Sequence, residues 1–421
     1  MIGVVSKVGL SLCRRYVTST TTSILTDSNL NATIIESNDA TNLNPTENVG
    51  IENIDGGSTD VKNKILKHIE SGKLSEYINA VPKRLLSRKT KTKELYLMHD
   101  DAAKKIFDLI KDSLLSDPHN VIEANAGIGL ITERLLDAGL PHITVLEPQD
   151  CFIKVLEDLR DKYPSRVSIL QADLLNIWRF MYQDKHDEGN RLTRFLSGFN
   201  TAKWGAELGI QIIGILPDLN VLRRLILDVV RQSGIVSYGR PRFYVCVPPS
   251  TLRKLTSHKG FGFHNYRGVS VLFQVLFDFE ILGEIPRKSL LPWLPEFSRN
   301  TVAKLSPNQR LDLDNWNIVR IEGKKNLFDE VIDETHLKPL WYFLNQHMVA
   351  RRARVIAHME TWEPGCGPNL IMKDYDIFTQ FGDLKPHQIL ELFKEFTTWE
   401  GYSSFLQSLD NSPEKMDILV S

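Results

Sequence analysis

Apolar runs separated by short polar turns recur through the middle of the chain. The first run starts at Val121 and leads into Glu123-Ala-Asn-Ala-Gly-Ile-Gly129, a turn built largely from small residues. Residues 130–136 then carry apolar side chains at helical spacing. This order predicts a strand, a tight turn and a helix whose first N–H groups favour the polar part of a nucleotide-like ligand. For the glycines alone, an ordinary strand-to-helix turn is the alternative.

The next two predicted strands also end in acids. The run at residues 142–148 leads to Glu147, and the run at 167–173 ends at Asp173. An acid about 20 residues beyond such glycines can accept both hydroxyls of an adenosine ribose. Together with Glu123, these acidic strand ends indicate a pocket for S-adenosylmethionine.

The same pattern continues and sets the predicted fold class. Alternation of strands with helices predicts an α/β, Rossmann-like fold with a parallel seven-stranded sheet, followed by a small helical C-terminal domain. Residues 183–194 are charged and are predicted to be irregular. The later strands are predicted at 211–217, 242–248, 277–285 and 317–323, and helices at 61–78, 101–115, 152–159, 221–230, 338–344, 351–357 and 386–396.

Composition narrows the class of protein. The 421 residues carry a net charge of −1, so nucleic-acid binding has to come from local patches. No run of about 18 apolar residues occurs, which argues against a membrane partner. The cysteines are Cys13, Cys151, Cys246 and Cys366, and they form no CxxC pair. The sequence therefore predicts neither a metal site nor a disulfide framework.

The N-terminus has the composition of a targeting segment. Residues 1–25 contain Lys7, Arg14 and Arg15, many Ser and Thr, and no acid. This pattern is typical of a mitochondrial transit peptide, and a disordered tail is the alternative. Residues 26–82 are interpreted as a polar linker followed by a short helix.

Three basic clusters are candidate nucleic-acid contacts, with a solvated face as the alternative for each. A further stretch, Lys259-Gly-Phe-Gly-Phe-His-Asn-Tyr266, nearly matches the RNA-recognition signature but lacks a suitably placed partner strand. It is interpreted as a loop that can touch nucleic acid. The residues assigned to the three clusters are Lys89 and Lys91, Arg223 and Arg224, and Arg351 and Arg352.

The end of the fourth strand is where an aminopurine methyltransferase would grip its acceptor. Such enzymes use an Asn or Asp oxygen, a proline and an aromatic side chain that stacks on the flipped base. This chain has Gly214-Ile-Leu-Pro217, followed by Asp218. The proline is present, but no amide precedes it and no aromatic residue follows. No catalytic residue is therefore assigned.

Over roughly residues 90–400 the chain resembles the rRNA adenine N6-dimethyltransferase family. It is most similar to the second paralogue of that family's mitochondrial transcription factor B branch. The similarity lies in the Glu-x-Asn-x-Gly-x-Gly turn, the Gly-x-x-Pro after strand four and the block around Arg351. Asn tolerates a positive φ, so Asn125 can keep the turn.

The resemblance implies a set of cofactor contacts. It implies that Glu147 holds the ribose and Asp173 the adenine amino group of S-adenosyl-L-methionine. The family's entry motif Gln-Asn-Phe-Leu corresponds to Glu94-Leu-Tyr-Leu97, which is similar only in its last two places. The full set of expected cofactor-binding residues is Leu97, Glu123, Asn125, Gly127, Gly129, Glu147 and Asp173.

The resemblance also implies a function and a place of action. The expected role is to help the mitochondrial RNA polymerase open promoter DNA in the matrix nucleoid. The alternative is an active dimethyltransferase of two adjacent adenines in mitochondrial small-subunit rRNA. The expected domains are a transit peptide (1–25), a linker with a short helix (26–82), a class I methyltransferase-like domain (83–325) and a helical C-terminal domain (326–421).

Overall fold

The structure is a computed structural model that describes residues 56–86, 94–205, 207–293 and 305–410. The predicted transit peptide lies outside these residues. The strands are β1 (Tyr96–Leu97), β2 (Val121–Ala124), β3 (Ile143–Leu146), β4 (Val167–Leu170), β5 (Leu208–Ile215), β6 (Arg240–Val247), β7 (Phe277–Pro286), β8 (Leu290–Leu291) and β9 (Asn315–Gly323).

The helices cover both faces of the sheet and form the C-terminal region. They are α1 (Gly56–Ser71), α2 (Asp100–Leu115), α3 (Leu130–Asp137), α4 (Asp150–Lys162), α5 (Asn176–Asp187), α6 (Arg191–Phe195), α7 (Asn220–Arg231), α8 (Pro249–Thr256), α9 (Gly268–Leu276), α10 (Pro307–Leu311), α11 (Leu337–His347), α12 (Val355–Met359), α13 (Gly367–Met372), α14 (Pro386–Phe396) and α15 (Gly401–Asp410). Among the described residues, no helix combines the length and apolar character that a bilayer crossing needs.

Seven strands form one sheet in the order β4-β3-β2-β5-β6-β9-β7. The pairs among β4, β3, β2, β5 and β6 are parallel, whereas β9 pairs antiparallel with both β6 and β7. The seven-stranded Rossmann-like fold is confirmed, with its last two strands forming an antiparallel edge on the parallel sheet. The carboxyl ends of β2, β3, β4 and β5 therefore lie along one edge, where such folds bind ligands.

Alternate residues of the central strands pack into two separate hydrophobic cores, one on each face of the sheet. On β5, Ile212 packs into one cluster and Ile213 into the other. On β6, Val245 and Tyr244 divide in the same way. Side chains of a strand alternate between faces, so both faces must be apolar when helices cover both.

The C-terminal helices share a core with one face of the sheet. Phe343 of α11 and Phe393 of α14 belong to the same buried cluster as Leu222 of α7 and Phe273 of α9. Burial of these large side chains stabilises the contact between the two regions. The predicted helical C-terminal region is present, and its boundary at residue 326 stays a prediction.

Three local predictions were wrong. The stretch predicted to be irregular at 183–194 is largely helical, and Arg191 at the start of α6 pairs with Asp187 at 2.6 Å and with Asp184 at 3.0 Å on α5. The helix predicted at 351–357 begins only at Val355, since Arg354 is extended and bridges Gln380. In addition, β4 stops at Leu170, three residues short of Asp173.

Candidate functional site

The turn after β2 has the left-handed backbone that its sequence requires. Asn125, Gly127 and Gly129 adopt φ values of 54°, 60° and 76°. Asn125 also donates its backbone N–H to the carbonyl of Leu146 at 2.9 Å, which ties the turn to β3. Asn is one of the few side chains that tolerate this region, so the prediction that Asn125 keeps the turn is confirmed.

Gly129 is also required by packing. A Cβ atom at this position would lie 3.0 Å from Leu156 Cδ2 and 3.0 Å from Leu159 Cδ2. The turn therefore brings the start of α3 so close to α4 that a larger residue would force both leucine side chains to shift by a few tenths of an ångström. This need is independent of any ligand.

Glu123 is buried at the end of β2. Its carboxylate accepts a hydrogen bond from the Thr132 hydroxyl on α3. Burial raises the pKa of Glu123 to about 7, and the bonds from Thr132 oppose that rise. The side chain fastens the strand to the helix behind the turn.

Glu147 lies on the other side of the same turn and has no exposed surface. Its Oε2 accepts the Gly127 N–H at 2.9 Å, and its Oε1 accepts the Gln149 N–H at 2.9 Å. The Tyr96 hydroxyl is 3.2 Å from Oε1. Burial raises the pKa of Glu147 to about 7, against the effect of these donors.

A small cavity lies beside the turn. Its volume is about 20 Å³, and its lining includes Leu97, Glu123, Asn125, Gly214 and Tyr244. This volume holds about one water molecule, whereas ligand sites span hundreds of cubic ångströms. Asn125 Oδ1 is buried without a partner there, so it is suited to bind a single water.

The cavity is not a hole for an acceptor base. Tyr244 is an aromatic lining residue, but its hydroxyl donates a hydrogen bond to Ser113 Oγ of α2 at 2.7 Å. Neither the cavity nor the enclosed carboxylate of Glu147 fits S-adenosylmethionine in this arrangement.

Asp173 stands apart from this group. Its Oδ1 accepts the backbone N–H of Asn176 at 2.9 Å at the start of α5, and Arg179 lies 3.9 Å from its Oδ2. The side chain is 27% exposed and therefore accessible. Its assignment to the adenine amino group stays a prediction.

At the end of β5, no polar side chain is placed to bind the amino group of a base that would accept a methyl group. Ile215 and Leu216 are buried in apolar surroundings. Asp218 turns toward Asn220, whose backbone N–H it accepts at 2.8 Å and whose side-chain amide it accepts at 2.9 Å. Its carboxylate thus shapes the entry into α7.

The predicted basic clusters fall in different settings. Lys89 and Lys91 lie outside the described residues. Arg223 and Arg224 are half-buried on α7, and the Nε atom of each is enclosed without a hydrogen-bond partner among the described residues. Arg351 stacks over Phe263 at 4.7 Å, and Arg352 beside it is exposed.

The loop at residues 259–266 contacts this arginine cluster. Phe263 contacts Arg351 as described, and Lys259 forms an ion pair with Asp383 at 3.2 Å. Phe261 is 50% exposed, with Arg253 at 5.4 Å over its ring. An exposed ring beside guanidinium groups is the arrangement on which unpaired bases stack.

Fold and site together define the class of protein. A mostly parallel seven-stranded sheet, a glycine turn after its first long strand and an acid after the next form the S-adenosylmethionine-dependent methyltransferase fold. The family model for ribosomal RNA adenine dimethylase matches residues 86–398. The chain belongs to this family.

Named relatives indicate the branch. The chain is 31% identical to dimethyladenosine transferase 2, mitochondrial, of Drosophila melanogaster, over 82% of this chain and 85% of the relative. It is 22% identical to the protein of the same name in Bos taurus, over 80% and 84%. These names confirm the predicted second paralogue and support a mitochondrial location.

The solved structures that are similar to this chain include the 23S rRNA methyltransferase ErmE. That likeness has a TM-score of 0.44 at 16% identity and covers 69% of this chain and 96% of the ErmE chain.

Three residues of the cleft were missed from the sequence. Tyr96, Glu94 and Gln149 surround Glu147, and none was assigned a role. The available signal was Tyr96 itself, which stands where the family motif has Phe and differs from it by one hydroxyl group.

Proposed function

We propose that this chain is a mitochondrial transcription initiation factor that helps the mitochondrial RNA polymerase to open promoter DNA. The observation that carries the proposal is the apolar end of β5, where Ile215 and Leu216 are buried and Asp218 is bonded to Asn220. Without an oxygen acceptor and a stacking ring at this place, a target adenine has nothing to grip its amino group.

A nucleic-acid surface supports the binding role. Phe261 offers an exposed ring, and Arg253, Arg351 and Arg352 supply positive charge near the same loop. Stacking and cationic contacts hold single strands without reading their sequence. A melted promoter strand is such a ligand, and an rRNA-binding ancestor would already have had the surface.

Two observations support the proposed location. Residues 1–25 have the composition of a transit peptide, and the relatives are named mitochondrial. The matrix nucleoid holds both the promoter DNA and the polymerase, so it is the proposed site of action.

Two assays on one preparation test the proposal. The first measures run-off transcription by the polymerase of the same organism on linear promoter DNA, with and without this protein. The second measures methyl transfer from S-adenosylmethionine to a small-subunit rRNA hairpin. We expect stimulation in the first assay and background incorporation in the second. Methyl transfer without stimulation would establish the alternative, an active rRNA dimethyltransferase.

A matched pair of variants locates the surface. Arg352→Ala and Lys394→Ala each remove one exposed positive charge from the C-terminal region. We expect Arg352→Ala to weaken single-stranded DNA binding several-fold and to reduce its salt slope by about 0.7, the value for one phosphate contact. Lys394→Ala should leave both unchanged. Equal effects would remove the arginine cluster from the proposal.

A further inference from the structure

Tyr96 is packed into the cleft and leaves no surface exposed. A Cβ atom on Gly127 would lie 3.2 Å from Cδ1 of its ring, so the ring rests directly on the glycine turn. On its other side the ring meets Phe152, with centroids 4.8 Å apart. These contacts fix the direction in which the hydroxyl group points.

That hydroxyl lies within hydrogen-bond distance of two carboxyl groups and can donate its single proton to either. It lies 3.2 Å from Glu147 Oε1 and 3.1 Å from Glu94 Oε2. The oxygens of Glu147 already accept the N–H groups of Gly127 and Gln149, each at 2.9 Å. A ribose diol needs both oxygens of this carboxylate, so the tyrosine hydroxyl stands in the place of a ribose hydroxyl.

Further contacts hold this arrangement from outside. Gln149 Nε2 donates to Glu94 Oε2 at 3.0 Å, and Arg84 donates to the same oxygen at 2.8 Å. The strand that carries Tyr96 is paired with β8, where Tyr96 is opposite Leu291. Tyr96 is thus held by its backbone, its ring and its hydroxyl.

We propose that Tyr96, held by Glu94, which Gln149 holds in turn, occupies one of the two ribose-binding oxygens of Glu147 and closes the nucleoside half of the methyl-donor cleft. A ligand with a ribose diol must displace the hydroxyl and separate three hydrogen-bonded side chains before it can enter. The family fold is retained, while the chain supplies its own substitute for the ligand. The inference concerns the cofactor cleft only and does not depend on the proposed role in transcription.

The test is cofactor binding by the full chain, measured by calorimetry with S-adenosylmethionine and with S-adenosylhomocysteine. Wild type is compared with Tyr96→Phe, which keeps the ring on Gly127 and removes only the hydroxyl. We expect wild type to show no saturable binding at micromolar ligand. The variant should bind at least about tenfold more tightly, the worth of one hydrogen bond to a charged group.

A double variant shows whether the gain passes through the carboxylate. Tyr96→Phe with Glu147→Gln should lose the affinity that Tyr96→Phe gains, because the amide cannot accept a diol at both positions. Thermal unfolding and circular dichroism check that each variant is folded. Equal affinity of wild type and Tyr96→Phe would overturn the proposal.

A measurement on wild type alone keeps the proposal testable if the variants do not fold. Saturable micromolar binding of S-adenosylmethionine by the unmodified chain would contradict a closed cleft. No binding, with run-off transcription still stimulated, is the expected result. If the chain neither binds S-adenosylmethionine nor stimulates transcription, the closed cleft is supported and the proposed function is wrong.

Discussion

The two halves of the cleft differ in what they retain. The donor half, made of the turn at residues 124–129 with Glu147, has the left-handed backbone and the buried acid of a nucleotide site. The acceptor half, residues 214–218, has its proline but no polar side chain free to hold an amine. The two halves lie at the carboxyl ends of neighbouring parallel strands, β2 and β5. They therefore differ in their side chains and not in the backbone that carries them.

The difference shows that a sequence motif can outlast its ligand when folding needs it. Gly129 is required by the approach of Leu156, and Glu123 is required by its bond to Thr132. A weaker requirement applies at Asp218, whose carboxylate bonds Asn220 at the start of the next helix. The glycine turn therefore identifies the fold, whereas the acceptor residues decide the chemistry.

The largest expected effect tests whether packing maintains the donor half. Gly129→Ala places a methyl group 3.0 Å from two leucine carbons at a φ of 76°, and should lower the free energy of unfolding by about 3 kcal/mol. Gly139→Ala is the control, since its φ is 98° but nothing lies within 4 Å. It should cost about 1 kcal/mol. Equal losses in urea unfolding would show that backbone strain alone explains the glycine.

The next effect uses the buried acid Glu123. Its pKa in the folded chain is about 7, against an ordinary 4.5, so the folded state holds its proton more tightly. Stability from this group is full below pH 4.5 and is lost as the pH rises toward 7. Glu123→Gln removes that dependence while keeping an acceptor for Thr132. Between pH 5 and pH 8, wild type should lose about 2 kcal/mol relative to the variant in urea unfolding. If the stabilities of wild type and variant change with pH in parallel, the carboxyl group of Glu123 is not the source of the pH dependence.

The strands at the centre of the fold were predictable because each is a largely apolar run. Both faces of the sheet are covered, so residues such as Ile212 and Ile213 are buried on opposite sides. The helices at 176–187 and 191–195 were harder to predict because they are polar. Arg191 of the second helix meets Asp184 and Asp187 of the first, but a charged stretch of this kind is also typical of a loop.

The contents of the cleft could not be predicted from spacing. Tyr96 and Glu147 are 51 positions apart, and their contact depends on β1 pairing with β8 far along the chain. The role of Asp218 could not be predicted either, because an acid after a proline can point either to a ligand or to the helix that follows it. Only the folded geometry separates these readings.

A third prediction applies to the acceptor half. Asp218→Ala removes the acceptor for the Asn220 N–H and should lower the free energy of unfolding by about 1 kcal/mol. Asp218→Asn keeps an oxygen in the same place and should stay within about 0.5 kcal/mol of wild type. Thermal unfolding measures both. If both variants match wild type in stability but lose a measurable methyl transfer, Asp218 is an acceptor residue and the comparison between the halves fails.

The smallest expected effect concerns the surface of the donor half. Lys162 and Glu133 join α4 to α3 through an ion pair of 2.6 Å, with side chains 54% and 37% exposed. Water and salt screen such a pair, and ordering two long side chains offsets its attraction. Glu133→Gln should therefore shift Tm by no more than about 1 °C, and less at high salt. Scanning calorimetry at two salt concentrations measures the shift. A large shift that persists at high salt would mean that surface charge, and not the buried contacts of Gly129 and Glu123, keeps the donor half in place.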